Sequence, residues 1–326
     1  MQLFPKKLSQ IYLVLFVSAF LTITGNFTFF QKTILIYPLS ENWLFLGSLF
    51  FFLFTFLAAL LLLFCYRVTT KPILIVLLMI SAIVSYSTNN YGIVFDHNMI
   101  LNTFETDTSE FLDLVSFKSI LYFFIFGLLP SIFVLKVKLK KISFKAQLWE
   151  RIKTFLVLVI IFVIIVLTFS KHYSSFAREN RDLRLYITPT YYLYSATKFV
   201  DSKFATSTKP FKEIGLDAKL NKKSDKRRLV ILVLGETARA DHMSINGYDL
   251  KTNPNLEQEE IISFDKMTSC GTDTALSVPC MFSLLDRSSY NHAKGKNMSN
   301  VLDIISHAGV SVLWLDNNSS SKSVAD

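Results

Sequence analysis

The chain has 326 residues, enough for two domains, and 51% of them are hydrophobic, 31 being phenylalanine; the mean hydropathy is +0.40. That composition excludes an ordinary soluble protein and points to a membrane protein. The net charge of +9 does not signal nucleic acid, which is excluded as a partner: the lysines and arginines cluster between apolar runs, and no basic, aromatic-interleaved soluble module is present.

The apolar runs come first in the chain. They cover Ile11–Phe30, Trp43–Tyr66, Pro72–Tyr91, Ile120–Leu135 and Thr154–Ser170. Each is near the ~20 residues a helix needs to cross a bilayer, the fourth and fifth lying at the short end. Asn26 and the Ser81–Ser87 stretch are polar interruptions, which in membrane helices face neighbouring helices rather than lipid. Lys6 and Lys7 precede the first run, Arg67 and Lys71 separate the second from the third, and seven lysines and arginines lie between Lys136 and Lys153. The loop from Gly92 to Phe117 carries Asp96, Glu105, Asp107, Glu110 and Asp113 instead. This asymmetry predicts a multi-pass membrane protein with five transmembrane helices, its N-terminus in the cytoplasm and everything after Ser170 outside. The first run lacks a small-residue cleavage site and reads as a retained span.

The predicted organisation is a transmembrane domain over 1–170, a linker with membrane-surface helices over 171–228, and an α/β domain over 229–326. Ala177–Leu185 reads as helical, Ile187–Tyr192 as a surface segment rich in Pro and Tyr, and Lys209–Arg228 as a charged linker. Leu229–Leu234 is an unbroken apolar run ending in Gly235, the pattern of a buried parallel strand. Ile261–Phe264 is a weaker strand, Thr274–Leu285 and Met298–His307 fit helices, Gly309 is a stop signal, and Val310–Leu315 is a further strand. Such an alternation places a site at the carboxyl ends of strands.

Three small groups stand at those ends. Glu236 follows the first strand and reads alone as a helix cap more readily than as a metal ligand. Thr274 sits where a helix should begin; its hydroxyl could be the N-cap, or a nucleophile that exploits the anion-stabilising helix N-terminus. Threonine is a poor nucleophile at neutral pH and needs a base or a metal to become an alkoxide. Thr272 is the alternative hydroxyl. Asp316, Asn317 and Asn318, with Lys322 beyond, form either a polar turn or a set of donors for a phosphate. Cys270 and Cys280 bracket Thr274; outside the membrane a disulfide is favoured over a metal pair, because ligand cysteines are usually closer and more numerous. The Asp96-His97 and Asp241-His242 pairs read as incidental.

The segments Gly235–Arg239, Ser269–Ser283 and Trp314–Ser319 resemble the metal-ligand turn, the nucleophile segment and the donor-binding turn of the phosphoethanolamine transferases that modify lipid A. That family includes the mobile colistin-resistance enzymes and belongs to the alkaline-phosphatase/sulfatase superfamily. The resemblance implies that Thr274 attacks phosphatidylethanolamine and passes phosphoethanolamine to lipid A, with zinc bound by Glu236 and Thr274. It implies contacts to the donor from Asn318 and Lys322, and a membrane-side substrate loop holding Asn98, Asn102 and Glu105. Ser289 stands where some relatives carry an acidic residue. In the family the catalytic domain continues past the position of Asp326 and supplies a late Asp-His pair to the zinc. The expectation is therefore that this stretch carries an incomplete α/β domain with two of the zinc ligands. The alternatives are a truncated, catalytically inactive membrane protein, or a relative using another head group or a core-sugar acceptor.

Overall fold

The computed structural model describes residues 7–105, 112, 114–204, 210–221, 228–235, 238–264, 266–316 and 321–325. The chain separates into two compact units, Met1–Thr206 and Ser207–Asp326.

The first unit is a helical bundle. Helices α1 (Gln10–Gly25) and α2 (Phe27–Ile36) meet at a bend of 58°. They are followed by α3 (Leu39–Phe64), α4 (Thr70–Tyr91), α5 (His97–Glu105), α6 (Phe117–Phe123), α7 (Leu129–Lys136) and α8 (Phe144–Thr168). Four of the described segments, with α6 to α7 taken together as Phe117–Lys136, are long and apolar enough to cross a membrane; the bent α1–α2 pair makes a fifth if it counts as one span. All five expected runs are thus helical. The stripe that buries α1 is Gln10, Leu13, Val14, Val17, Ser18, Leu21, Thr22 and Gly25. Its spacing of three and one is that of a helix seam packed on both sides, here by α3 and α4. Ser18 and Thr22 satisfy their hydroxyls on the carbonyls of Val14 and Ser18, both at 2.8 Å, so the seam carries polar groups without orphaned donors. Phe16 and Ile23, on the other face, are 55% and 60% exposed, as a lipid-facing side should be.

Two local departures from the sequence expectations have plain causes. Between α6 and α7 the chain makes a π-turn over Phe124–Leu128. Pro130 follows it and has no N–H for the carbonyl four residues back, so the ladder widens by one residue. Helix α8 begins about ten residues before the expected span, capped by Ser143, whose Oγ accepts from the Ala146 N–H at 3.3 Å. Apolar counting finds where lipid begins; backbone bonding lets the helix start earlier, through Lys145, Glu150, Arg151 and Lys153.

The polar interruptions serve as joints. Asn26 is 2% exposed at the α1–α2 bend. Its Nδ2 donates to the carbonyls of Leu21 at 3.2 Å, Thr22 at 3.3 Å and Thr188 at 2.9 Å, and its Oδ1 accepts from the Thr188 N–H at 2.9 Å. Ser81 of α4 meets the Tyr192 hydroxyl at 3.1 Å. Burial pushes the Tyr192 phenol up to about 12. The segment after α8 is therefore tied into the bundle. It runs as α9 (Ser170–Glu179), a 3₁₀ turn Arg181–Tyr186 and α10 (Thr190–Phe204). The helix expected across Ala177–Leu185 breaks at Asn180, whose backbone (φ −122°, ψ 44°) leaves the helical region. The Phe176 ring meets those of Phe29 and Phe45 edge to face there, and Tyr173 meets Phe45 in the same way.

The second unit holds α11 (Thr274–Met281), α12 (His292–Lys296) and α13 (Val301–His307) with short 3₁₀ turns. No strand ladder forms among its described residues; the Lys212–Met298 contact is an isolated parallel bridge. The runs Leu229–Leu234 and Val310–Leu315 were expected as strands, yet Leu229, Val230 and Val233 are 84–86% exposed and Leu315 is 84% exposed. A strand is defined by its hydrogen-bonded neighbours, and a doubly buried parallel strand needs them on both edges. The helix expected over Thr274–Leu285 ends at Met281: Pro279 lacks a donor, and Phe282 and Ser283 close a tight turn on Val278 and Cys280. The helix expected from Met298 starts instead at Val301. Asn300 and Asp303 form a reciprocal capping box that marks its start. Gly309, at φ +88°, stops it as expected.

Candidate active site

Helix α11 is the centre of the second unit's polar residues. Asp273 caps it: its backbone is extended (φ −107°, ψ 146°) and its Oδ1 accepts from the Leu276 N–H at 2.9 Å. The cap expected of Thr274 is thus taken by its neighbour, and Thr274 is the first helical residue, half-buried, while Thr272 is exposed. The helix dipole places its positive end at the Thr274 position. An oxygen there would be stabilised as an anion, as would a phosphoryl group bound to it.

The segment that leads into the helix is held from several sides. Cys270 and Cys280 form a disulfide with their Cα atoms 6.4 Å apart, so the approach is tied to the last turn of the same helix. Arg287 Nη1 donates to the Ser269 carbonyl, and the Ser269 hydroxyl donates to the Gly271 carbonyl at 2.7 Å. A Cβ on Gly271 would come within 2.5 Å of Leu276 Cδ2, so a larger residue there would require the Leu276 side chain to shift. Reducing the disulfide, or replacing both cysteines by serine, should destabilise this unit by about 2–3 kcal/mol from the loss of a closed loop of roughly ten residues. Differential scanning fluorimetry with and without reductant measures this; an unchanged unfolding temperature would mean that Arg287 and Gly271 suffice.

The back of α11 builds a small core. Val278 and Phe282 are buried with Val324, and Leu234, Leu302 and Trp314 pack against them; the Phe282 and Trp314 rings stand edge to face with centroids 5.6 Å apart. Leu234 ends the first apolar run and lies two residues before Glu236; Trp314 lies two residues before Asp316. The ends of both runs therefore converge on the helix that begins at Thr274. Glu236 and Asn318 themselves lie outside the described residues.

Val324 brings a third element. Ser321–Val324 is a turn closed by Val324 N–H to Ser321 O at 3.2 Å, and Asn300 Nδ2 holds the Val324 carbonyl at 2.8 Å. Its central residues Lys322 and Ser323 have φ of +54° and +67°, the left-handed pair of a type I′ turn. The turn presents Lys322 from a backbone that L-residues adopt only at a cost, and Ser323→Gly should raise the unit's stability by about 1 kcal/mol. Thermal unfolding of that variant checks it, with no gain arguing against the turn.

The remaining positions sort as follows. Asp96 caps α5, its Oδ1 accepting from the Met99 N–H at 2.8 Å, so the expected substrate loop is a helix, with Asn98 and Asn102 one turn apart on one face. Asn98 is exposed and Asn102 half-buried; the Glu105 side chain is outside what the structure describes. Arg239 forks Asp241 at 2.9 and 2.6 Å, and His242 Nδ1 meets the same carboxylate at 3.0 Å. Those partners hold the Asp241 carboxyl well below its usual range. Among the described residues no group of three His, Cys, Asp or Glu could hold a metal ion. Sequence reasoning missed Asp273 as the cap; the Asp-Thr-x-Leu order at the start of an apolar helix is the signal that finds it. It also missed Asp286, which accepts from the Ser289 N–H at 2.9 Å and the Ser288 hydroxyl at 3.0 Å. Those donors hold its carboxyl below the usual range, Ser289 most, and so keep a carboxylate three residues from the position where relatives were expected to carry one.

Residues 53–204 match the family described as "Phosphoethanolamine transferase EptA/EptB", and residues 228–325 match "Sulfatase". The class is thus a helical membrane-type domain joined to a unit of the sulfatase type. The chain is 40% identical over 329 residues to phosphatidylethanolamine transferase Mcr-1 of Escherichia coli, covering 99% of this chain and 61% of that protein. It is 31% identical over 319 residues to phosphoethanolamine transferase EptA of Escherichia coli K12, covering 96% and 58%. The integral membrane lipooligosaccharide phosphoethanolamine transferase A of Neisseria meningitidis matches its structure with a TM-score of 0.89 at 31% identity, over 98% of this chain and 60% of that one. The chain belongs to the phosphoethanolamine transferase family. It spans about six-tenths of the length of these relatives.

Proposed function

We propose that the chain is the membrane domain and the nucleophile-bearing part of an enzyme that moves phosphoethanolamine from phosphatidylethanolamine to lipid A. The observation that carries this is Thr274 at the first position of a capped, disulfide-clamped helix in a unit that matches the sulfatase family. In the first step Thr274 Oγ forms a bond to phosphorus as the P–O bond to diacylglycerol breaks, and the threonine proton ends on the diacylglycerol oxygen. A protonated oxygen of a lipid A phosphate then bonds to that phosphorus as the Thr274 Oγ–P bond breaks, and the proton it carried passes to Thr274. Lys322 and Asn318 supply cationic and amide donors to the phosphate; Asn98, Asn102 and Glu105 of α5 contact substrate on the membrane side. The domain plan is a transmembrane part over 1–170, a linker over 171–228 and the catalytic part from 229. The basic loops lie in the cytoplasm and the second unit in the periplasm of a bacterial inner membrane.

Zinc is the metal this reading calls for, and Glu236 and Thr274 offer it two oxygen donors. Two are fewer than the three protein ligands of a catalytic zinc, so these residues hold it only together with others. A bound zinc would lower the pKa of the Thr274 hydroxyl and polarise the phosphoryl oxygen.

The test uses fluorescent phosphatidylethanolamine and purified lipid A with the whole enzyme that carries this chain, in membranes. Labelled lipid A, lost on treatment with a zinc chelator and restored by zinc, is the expected result. Label appearing on a core sugar instead, located by mass spectrometry of the product, would replace lipid A as the acceptor.

A further inference from the structure

At one end of the first unit the chain lines an open pocket of about 1030 Å³. Its walls are the start of α1, the α3–α4 link, the segment after α7 and the first turns of α8. The frame is stitched by backbone bonds: the Leu8 N–H donates to the Lys138 carbonyl at 3.0 Å and the Lys140 N–H to the Leu8 carbonyl at 2.9 Å. Lys71 Nζ closes one side on the Leu135 carbonyl at 2.6 Å. Eight of the 21 lining residues are lysine or arginine, and one, Glu150, is acidic. No salt bridge among the described residues involves any of these cations. Like charges gathered round one cavity repel unless a counter-charge sits among them.

Two further features say what that counter-charge is attached to. The remaining wall is largely apolar, with Ile11, Leu15 and Leu139, and it opens beside Tyr12, which is 65% exposed on the outer face of α1. An adjoining cavity of about 190 Å³ shares Arg67 and Gln147 with the first and is lined by Arg151. Arg151 is 8% exposed; its Nη2 donates to the Cys65 carbonyl, its guanidinium stands 4.1 Å from the Tyr66 ring centre, and its Nη1 is buried with no partner. A buried guanidinium donor without an acceptor is costly, and an anion in the cavities removes that cost.

We propose that this cavity binds the phosphate-bearing headgroup of an anionic phospholipid, of the phosphatidylglycerol or cardiolipin kind. Arg67, Lys138 and Lys140 face the phosphate and Arg151 adds a donor from the adjoining cavity, while the acyl chains leave along the apolar wall. The volume far exceeds an inorganic phosphate, and the apolar wall suits acyl chains. The site lies at the amino end of α8. The 25 residues of that helix span roughly 37 Å, so the site is separate from any chemistry at the other end of the bundle. On the orientation proposed above it faces the inner leaflet; the binding itself does not depend on the transfer reaction.

Native mass spectrometry of the whole chain in detergent tests it, with cardiolipin, phosphatidylglycerol and phosphatidylcholine titrated separately. Saturable binding of one anionic lipid, at least ten-fold tighter than phosphatidylcholine, is expected. Arg67→Gln/Lys138→Gln/Lys140→Gln should weaken it ten-fold or more, while Lys219→Gln/Lys251→Gln/Lys266→Gln, which removes equal charge from the second unit, should leave it unchanged. If the first triple variant fails to fold, Glu150→Gln serves in its place and should tighten binding several-fold; no tightening overturns the proposal. Equal binding of phosphatidylcholine, or equal loss in both triple variants, also overturns it. Displacement of cardiolipin by millimolar inorganic phosphate would make this a soluble-anion site and sink the lipid assignment.

Discussion

Thr274→Ala is expected to abolish the covalent phosphoethanolamine adduct and to lower transfer by about a thousand-fold or more, the scale on which enzymes lose activity with their nucleophile. Thr272→Ala should leave both nearly intact. The two hydroxyls are two residues apart, yet their settings differ: Thr272 is exposed in the approach, whereas Thr274 is half-buried at the first position of α11. Only the second has the helix dipole behind its oxygen. Tandem mass spectrometry of the peptide bracketed by Cys270 and Cys280, after incubation with phosphatidylethanolamine, reads the site directly. An adduct on Thr272, or turnover that survives Thr274→Ala, would refute the assignment. Asp273→Asn offers a control, since asparagine still caps: the helix should keep its start and the adduct should form. A loss there equal to that of Thr274→Ala would show that the carboxylate does more than cap.

The second large effect is expected in the first unit. Asn26→Leu should destabilise the bundle by about 2–4 kcal/mol, because it orphans both the N–H and the carbonyl of buried Thr188, each costing ~1–3 kcal/mol. Asn26 is nearly isosteric with leucine, so the cost comes from hydrogen bonding and not from a cavity. Asn26→Asp keeps an acceptor for the Thr188 N–H but loses the donor to its carbonyl; it also places a charge in the bundle, so it too should destabilise. Thermal unfolding in detergent measures the stability, and proteolysis near residue 188 should accelerate in Asn26→Leu if the joint opens. An unchanged unfolding temperature with unchanged cleavage would mean that Ser81 and Tyr192 hold the segment without help.

The two units differ in how much their residues disclose. In the first, hydrophobic runs of near bilayer length were visible as helices, and the polar residues inside them were legible as contacts between elements. Asn26 and Ser81 do face protein. What could not be read was their partner, 162 residues away in one case, since a side-chain amide carries no mark of the backbone it will meet. Nor could the early start of α8 be read, because Lys145 and Arg151 break the apolar pattern without breaking the helix. In the second unit, the helix start at Thr274 and the Cys270–Cys280 pair were legible from short-range signals, while the cap itself, Asp273, was overlooked beside the more prominent threonine.

By itself, then, the sequence determined a membrane protein with five apolar helical runs and a threonine at a helix start between two cysteines. Those follow from patterns a few residues long, because helix periodicity and capping are local. Tertiary structure decided that Leu234 and Trp314 bring the ends of two distant apolar runs to the back of α11. It also decided that the basic residues near Lys138 and Arg151 line two open pockets. Each depends on which surfaces meet across tens to hundreds of residues, and burial and pairing at that range are set by packing, which no single segment encodes.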